Sequence, residues 1–540
     1  MKRTLGGALL AAALGLGGCT PPTFVSPAQG GPKWSALTTR HFTLYTDVPD
    51  DEARETAREF EEIYRSFEDV AFPYSKKPTG RFEVTLFQRE DAYRKVAPPE
   101  TRGYFQHAAH DPDNRPMMVL YHGVDPRLRT VLRHELAHRF VAFYFPAAPR
   151  WLNEGLAKTY ETLTFKSGEA LVGAVPDDRH FGVNSRGTIA TDRGVIEATR
   201  DEMPSAAQLV AADHRQFYPQ SDSPVEAKRS FLYYEAAWNL VHAMRFGPPP
   251  LRDSLEEYLL ALIKGRDPRA SFGEALRRHG VTPAQLESAY RQHIELYGVP
   301  AERAAFAPRD IPTPHGRAMS EAEVRLLWAR VRPWRGPEGM AQAGEEIEAA
   351  IKADPKFAPA YVLRGEWFER QRRDAEALAD YRKARALAPE DFRTAHALAS
   401  YLSYNFKKFA NDAAVQAELN ALLEGLRQNA GSAAAWDTLA RYDARQGAPE
   451  RGLPFAKKAI SANPSCFECY DTAAMLLFRL GRLDEAVAAQ RTAVNLMPDG
   501  VRMPGVLKRL RELEEEVASR PAAPPPADAA PANSPASAGP

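Results

Sequence analysis

The chain has 540 residues, a length that one hydrophobic core rarely serves, so we expect two or three domains with additional tails. Hydrophobic residues make up 44% of the sequence and charged residues 26%, which is typical of a globular protein. Lys plus Arg and Asp plus Glu number 70 each, so the formal net charge is zero. With no basic stripe interleaved with aromatic residues, the sequence argues against nucleic-acid binding.

Residues 1–19 have the features of an export signal. Two basic residues open the segment, a short apolar run rich in Ala and Gly follows, and the sequence LGGC ends it at Cys19. This ending resembles a bacterial lipobox, in which the cysteine becomes the lipid-modified first residue of the mature protein. An ordinary secretory signal with an incidental cysteine is the alternative. The resemblance implies lipid anchoring in the cell envelope. Thr20 follows the cysteine where an Asp would favour the inner membrane, so the outer membrane, facing the periplasm, is favoured.

Residues 20–33 are rich in Pro and Gly and predict a tether between the lipid and the first domain. Beyond the tether, apolar residues recur at helical spacing over residues 50–70. Alternating apolar side chains predict three strands, at residues 41–47, 81–87 and 117–121. A helix and several strands ahead of a histidine-bearing helix predict an α+β domain over residues 34–299, with its sheet behind that helix.

The sequence HELAH, from His134 to His138, carries the clearest chemical signal in the chain. On a helix, two histidines four residues apart lie on one face, so both rings can bind a single metal ion. Glu135, beside the first histidine, is then positioned to act as a general base on water. The alternative is a half-buried histidine pair with ordinary hydrogen bonds.

A second helix is predicted over residues 149–161, after a break at Pro146, and it carries Glu154. Fifteen residues separate His138 from Glu154, enough for the first helix to end and the second to return beside it. Two imidazoles and one carboxylate suit Zn²⁺, and three protein ligands leave a fourth position for water. Glu161, two turns further on, either accepts a hydrogen bond from a ligand histidine or is a solvated glutamate.

These motifs together resemble a known family. HELAH, the later stretch WLNEGLA and Tyr160-Glu161 are similar to the gluzincin-type (peptidase MA-like) zinc metallopeptidase domains of bacterial lipoproteins. The resemblance covers about residues 34–297, although the gap between the second histidine and Glu154 is shorter than in the best-known gluzincins. It implies a zincin-like fold, one Zn²⁺ bound by the two histidines and Glu154, and hydrolysis of a peptide or protein substrate.

The resemblance extends to a later helix, FLYYEAAWNLVH, over residues 231–242. By that match Tyr234 is the phenol that helps to stabilise the oxyanion formed at the scissile carbonyl group. From the residues alone, the same segment also fits an ordinary core helix, and His242 fits a packed histidine rather than a metal ligand.

The second domain is recognised by its period. Four prolines mark residues 300–319 as a linker. Four alanines are each followed five residues later by a proline, and the step within each pair is 34: Ala350 and Ala384, Ala459 and Ala493. That step is the tetratricopeptide length and predicts an all-α solenoid over residues 320–519, with a degenerate or insertion-bearing unit at 392–430. Such a solenoid offers a concave surface to a protein partner.

Two cysteines remain, Cys466 and Cys469, in a C-x-x-C pair within the repeats. In an exported protein this pair can close a small disulfide, and a redox motif is the alternative. We predict a structural or incidental pair. Residues 520–540 are almost entirely Ala, Pro and Ser, and we predict that they are disordered.

Two functions follow from these features. The first is a zinc-dependent peptidase, lipid-anchored in the cell envelope, whose repeats recruit substrate or partners. The second is a non-catalytic envelope assembly or adaptor lipoprotein that acts through its repeats. Glu135 favours the first function, because a metal site without catalysis does not require this carboxylate.

Overall fold

The fold is described from a computed structural model of the chain. It covers residues 25–519 except 79, 98–102, 108–115, 122–126, 177–185, 192–193, 219–222, 297–298, 308, 333, 335, 429–431 and 498–502. The predicted signal peptide with Cys19, the start of the tether and the tail at residues 520–540 lie outside the described residues. Among the described helices, none has both the length and the apolar character needed to cross a bilayer.

The first part of the chain mixes strands and helices. It opens with β1 (Ser35–Thr38), β2 (Phe42–Thr46), α1 (Asp50–Ser66), β3 (Phe82–Phe87), α2 (Glu90–Tyr93), β4 (Gly103–His107) and β5 (Pro116–Tyr121). Next come α3 (Arg127–Tyr144), α4 (Arg150–Tyr160), β6 (Thr164–Lys166), β7 (Glu169–Val172), β8 (Arg186–Thr191), β9 (Gly194–Thr199), α5 (Ala206–Ala211) and α6 (His214–Phe217).

Four longer helices and two strands complete this part. They are α7 (Pro224–Phe246), α8 (Pro249–Ile263), α9 (Pro268–Arg278), α10 (Pro283–Glu295), β10 (Glu302–Ala305) and β11 (His315–Ala318). Each of the four helices begins with proline in its first turn, where the missing N–H has no intrahelical acceptor and costs nothing.

Six strands form one mixed sheet in the order β11-β1-β2-β3-β5-β4. The inner strands β2, β3 and β5 are parallel, and the outer pairs are antiparallel. On β3, the side chains of Phe82, Val84 and Leu86 all join the core that α1 and α3 complete. Phe87, the next residue, belongs to a separate core on the other face. The strand period predicted from the sequence is therefore present, and it places α3 against the sheet.

The second face of the sheet is covered by α11 (Glu321–Val331), a helix that the sequence assigned to the repeat domain. Trp328 of this helix packs edge-on against Trp34, with 6.3 Å between ring centroids. Arg330 Nη2 also donates a hydrogen bond to the buried Glu83 Oε2 on β3, at 2.5 Å. The repeat domain therefore begins inside the core of the first domain.

Two predicted connecting segments are structured instead. The predicted linker, residues 300–319, contributes β10, which pairs with β7, and β11, which pairs with β1. The structure differs from the linker prediction because β10 fits between Pro300 and Pro308, β11 begins after Pro314, and both strands lie at sheet edges, where nearby prolines are tolerated. The described part of the predicted tether contains a 3₁₀ turn at Pro27–Gln29, where the Ala28 N–H donates to Glu321 Oε2 at 3.0 Å.

The remaining helices form an antiparallel solenoid. They are α12 (Gly336–Ala353), α13 (Ala358–Arg370), α14 (Asp374–Leu387), α15 (Phe392–Tyr404), α16 (Ala413–Gln428), α17 (Ala433–Arg445), α18 (Pro449–Ala462), α19 (Phe467–Arg479), α20 (Leu483–Leu496) and α21 (Pro504–Ser519). Three helix pairs share lengths of 13 and 14 residues with three-residue loops: α13/α14, α17/α18 and α19/α20.

The irregular unit of the solenoid carries an insertion, one of the two possibilities that the sequence left open. Its first helix, α15, has the standard 13 residues. The loop at residues 405–412 has eight residues rather than three, and α16 has 16 residues rather than 14. These two differences add up to the seven residues by which the 75-residue step from Pro389 to Pro464 exceeds two repeats of 34.

Candidate metal centre

Three packed helices position the candidate site. As predicted, α3 ends before Pro146, and α4 then returns beside it. Gly155 lets α4 approach α7 closely, because a Cβ atom added there would lie 2.5 Å from the Ala237 carbonyl oxygen. Glu154, the residue before this glycine, is fully buried.

The structure brings His134, His138 and Glu154 together. One potential ligand atom from each lies within 4.8 Å of the others. The two Nε2 atoms are 3.0 Å apart, and Glu154 Oε2 lies 3.5 Å from Nε2 of His138 and 4.0 Å from Nε2 of His134. In a tetrahedral zinc site with bonds of 2.0–2.1 Å, neighbouring ligand atoms are about 3.3 Å apart. The three atoms therefore surround a space of suitable size for zinc.

The buried oxygen of Glu154 supports the same fit. Glu154 Oε2 is shielded from solvent and has no hydrogen-bond partner among the described residues. A buried carboxylate oxygen without a partner destabilises a fold. A cation held by this oxygen and the two imidazole nitrogens would remove that cost.

A hydrogen bond at Nδ1, the ring nitrogen that does not face the other potential ligands, orients each histidine ring. His134 Nδ1 lies 2.7 Å from Glu161 Oε2, and His138 Nδ1 lies 3.0 Å from Asn153 Oδ1. Both oxygens accept, so each Nδ1 carries the proton and each Nε2 is available to a metal. Glu161 thus makes the contact expected if it supports a ligand. The sequence placed Asn153 only near a helix start, and no pattern marks its role because that role depends on how the two helices cross.

The charges around His134 favour a cation at this position. Burial disfavours the charged ring, but the carboxylates of Glu161, Glu135 and Glu154 outweigh burial and raise the pKa of His134 to about 9. Glu135 itself is half-buried on α3. Since a metal ion replaces a proton on a ligand histidine, the same carboxylates would also favour metal binding.

A tyrosine that the sequence did not single out contacts the third ligand. The Tyr218 hydroxyl donates to Glu154 Oε1 at 2.7 Å. Tyr234, the tyrosine singled out by the family resemblance, lies next to Tyr218, with 6.3 Å between the two ring centroids. Its ring also packs against Phe217. The role of Tyr234 at an oxyanion stays a prediction.

His242 is a packed histidine, as its sequence context suggested. It is fully buried, and its Nε2 lies 2.9 Å from the Gly173 carbonyl oxygen. Its Nδ1 lies 2.9 Å from His293 Nε2. These contacts place His242 in a separate buried histidine pair, outside the group of three potential ligands.

Cys466 and Cys469 form a disulfide at the start of α19. Both side chains are buried, and Cys466 Sγ accepts a hydrogen bond from the backbone N–H of Cys469 as the N-cap of this helix. The burial of both sulfur atoms favours a structural pair over a redox motif that exchanges with solvent thiols.

Comparisons with known proteins match the repeat part of the chain. Residues 467–499, which span α19 and α20, match the tetratricopeptide repeat family model. No curated protein sequence matches the chain. The C-terminal part of the chain therefore carries tetratricopeptide repeats.

Three solved structures illustrate the similarity in fold. PilW, a type IV pilus biogenesis factor, is 17% identical, with a TM-score of 0.28 over 36% of this chain and 91% of its own. TTC0263, a thermophilic TPR protein of Thermus thermophilus, is 18% identical, with a TM-score of 0.32 over 36% and 99%. YrrB, a TPR protein with an unusual peptide-binding site, is 16% identical, with a TM-score of 0.24 over 35% and 92%. Because these scores are below 0.5, they carry no argument about function.

Proposed function

We propose that the chain is a zinc-dependent peptidase with a zincin-like first domain, lipid-anchored in the cell envelope through Cys19, whose repeats recruit substrate or partners. The observation that carries this proposal is the convergence of two imidazole nitrogens on Glu154 Oε2, a buried oxygen without a hydrogen-bond partner among the described residues. Three protein ligands, rather than four, are typical of catalytic zinc.

The residues of the chain divide the proposed reaction between them. His134, His138 and Glu154 would hold the ion, and Glu161 and Asn153 keep the two rings oriented. A bound zinc ion supplies Lewis-acid polarisation of water and of a carbonyl group. A carboxylate oxygen of Glu135 takes the proton of the attacking water and passes it to the nitrogen of the leaving amine. The Tyr234 hydroxyl donates to the oxyanion.

The test separates metal binding from catalysis. Glu135→Gln should keep the zinc and lose cleavage by about 10²–10⁴-fold, the usual contribution of general acid–base catalysis. His138→Ala should lose both. Zinc is measured by metal analysis of the purified chain, and cleavage with an unfolded casein-like substrate. Equal turnover by Glu135→Gln and the wild type would rule out this mechanism.

The second candidate is a non-catalytic envelope adaptor that acts through its repeats. The family match favours it, because that match falls entirely within the repeat domain. Tetratricopeptide repeats generally present a concave surface to protein partners. A chain that binds zinc but cleaves none of many peptides would shift the assignment to this candidate. Comparing cell-envelope protein termini between the wild type and Glu135→Gln would identify natural substrates if the peptidase proposal is right.

A further inference from the structure

The last repeat contacts the helix that carries the third ligand. Arg150, the first residue of α4, extends its guanidinium group to the C-terminal end of α20. Its Nη2 donates to the Met497 carbonyl oxygen at 2.9 Å and to the Val494 carbonyl oxygen at 3.2 Å. The C-terminal end of a helix carries partial negative charge and carbonyl groups without intrahelical partners, so an arginine there is favourable on both counts.

The other side of the same guanidinium group faces the metal centre. Arg150 Nη1 donates to the Tyr218 hydroxyl oxygen at 3.0 Å, and the Tyr218 hydroxyl donates to Glu154 Oε1 at 2.7 Å. The guanidinium carbon also lies 5.0 Å from the centroid of the Tyr218 ring. A hydroxyl that accepts from a cation becomes a stronger donor, so Arg150 strengthens the hydrogen bond that orients Glu154.

This arrangement holds the solenoid to the first domain at two places. At its start, α11 is fixed by a hydrophobic core that includes Trp328 and Trp34. Near its end, α20 is held by the two hydrogen bonds from Arg150. The curvature of a solenoid is the sum of small rotations between neighbouring repeats, so a partner that changes these rotations shifts one end of the solenoid relative to the other. Two hydrogen bonds are broken at a lower cost than a core of large aromatic residues. A shift of the solenoid would therefore act first on the contact at Arg150.

We propose that Arg150 and Tyr218 are positioning residues that couple docking of the last repeat to metal binding at Glu154. The inference rests on the proposed metal centre and goes beyond it by assigning a route through which a partner on the repeats regulates the site. Coupling between two sites is reciprocal. If docking of α20 strengthens zinc binding, zinc binding must strengthen docking of α20 by the same factor.

The experiment uses the full chain, freed of metal and titrated with Zn²⁺ against a competing chromophoric chelator. Tyr218→Phe and Arg150→Met should each weaken zinc binding by about tenfold, the lower end of the range for residues that support a ligand. Tyr233→Phe is the matched control. It removes the hydroxyl of a tyrosine whose ring, like that of Tyr234, packs against Phe217. The hydrogen bond to Glu154 comes from Tyr218 and should be unaffected. The zinc affinity of this control should equal that of the wild type.

Amide hydrogen exchange of residues 490–497 provides the second readout. Zinc should slow exchange at this end of α20 in the wild type, and the effect should disappear in Tyr218→Phe and Arg150→Met. If Arg150→Met does not fold, Arg150→Lys replaces it. A single ammonium group keeps a positive charge at the end of α20 but lacks the planar fork that serves Tyr218 and the carbonyl groups together.

The outcomes separate this inference from the metal centre itself. Wild-type zinc affinity in a folded Arg150 variant, or no effect of zinc on exchange in α20, would overturn the coupling and leave the centre standing. Weakened binding in Tyr218→Phe alone would reduce Tyr218 to a local support and would also overturn the coupling. A wild-type chain that binds no zinc would overturn the centre and the coupling together.

Discussion

Replacing Glu161 tests how much the support of one ligand contributes to metal binding. Its Oε2 accepts a hydrogen bond of 2.7 Å from His134 Nδ1, and the carboxylate is 5% exposed. A hydrogen bond to a buried charged group contributes about 1.5–3 kcal/mol, and a neutral one about half as much. Glu161→Gln keeps the acceptor oxygen and loses the charge, so we expect a loss of about 1–1.5 kcal/mol in zinc binding, or about tenfold in affinity.

Glu161→Ala removes the acceptor as well and should weaken zinc binding by up to about 100-fold. Both changes also remove the ion pair of the buried Lys158, whose Nζ lies 3.3 Å from Glu161 Oε1. Unfolding by urea is therefore measured beside the zinc titration, at one pH, since protons and metal compete for His134. Glu55→Gln, which removes an exposed carboxylate on α1, is the control. Wild-type affinity in a folded Glu161→Ala chain would refute the reasoning.

Three further changes test the packing of the chain by urea unfolding. Gly155→Ala should destabilise by about 1–3 kcal/mol through overpacking of α4 on α7, whereas Gly425→Ala, in open space on α16, should be neutral or stabilising. Burial raises the pKa of Glu61, but hydrogen bonds from His41 outweigh burial and lower this pKa overall. The stabilising contribution of the carboxylate is therefore lost as the pH falls below about 4.5. In Glu61→Gln, the free energy of unfolding should fall less steeply between pH 6 and 3 than in the wild type. Arg330→Met should destabilise by about 1.5–3 kcal/mol, because it removes the ion pair with the buried Glu83 carboxylate, which keeps its hydrogen bond from the Tyr45 hydroxyl; a cost below 1 kcal/mol would contradict this.

The parts of the fold that the sequence predicted are those set by local periodicity. The strand at Phe82–Phe87 and the helix at Arg127–Tyr144 follow from side-chain spacing within a single element. The histidine pair is equally local, because one helical turn fixes its spacing. Glu154 required one further step, the return of a second helix after a proline break.

The parts that escaped prediction depend on long-range contacts. Tyr218 is 64 residues from the ligand that it contacts, and Arg150 is more than 340 residues from the carbonyl groups that it holds. Side-chain spacing carries no information about such pairs. The prediction of a linker at residues 300–319 missed the strands β10 and β11 for a related reason. Prolines signal an interruption of regular structure, but they do not show that the short stretches beside them pair with distant strands.

The geometry also bears on the choice between the two candidate functions. The group found among the described residues has three potential ligands, the number that catalytic zinc sites use. Its third member, Glu154, is fully buried and has one oxygen without a hydrogen-bond partner there, an arrangement that costs about 1–3 kcal/mol or more. A cation bound there would remove this cost, which supports the proposed metal centre. Whether that centre is catalytic is decided by comparing cleavage by Glu135→Gln and the wild type at equal zinc content.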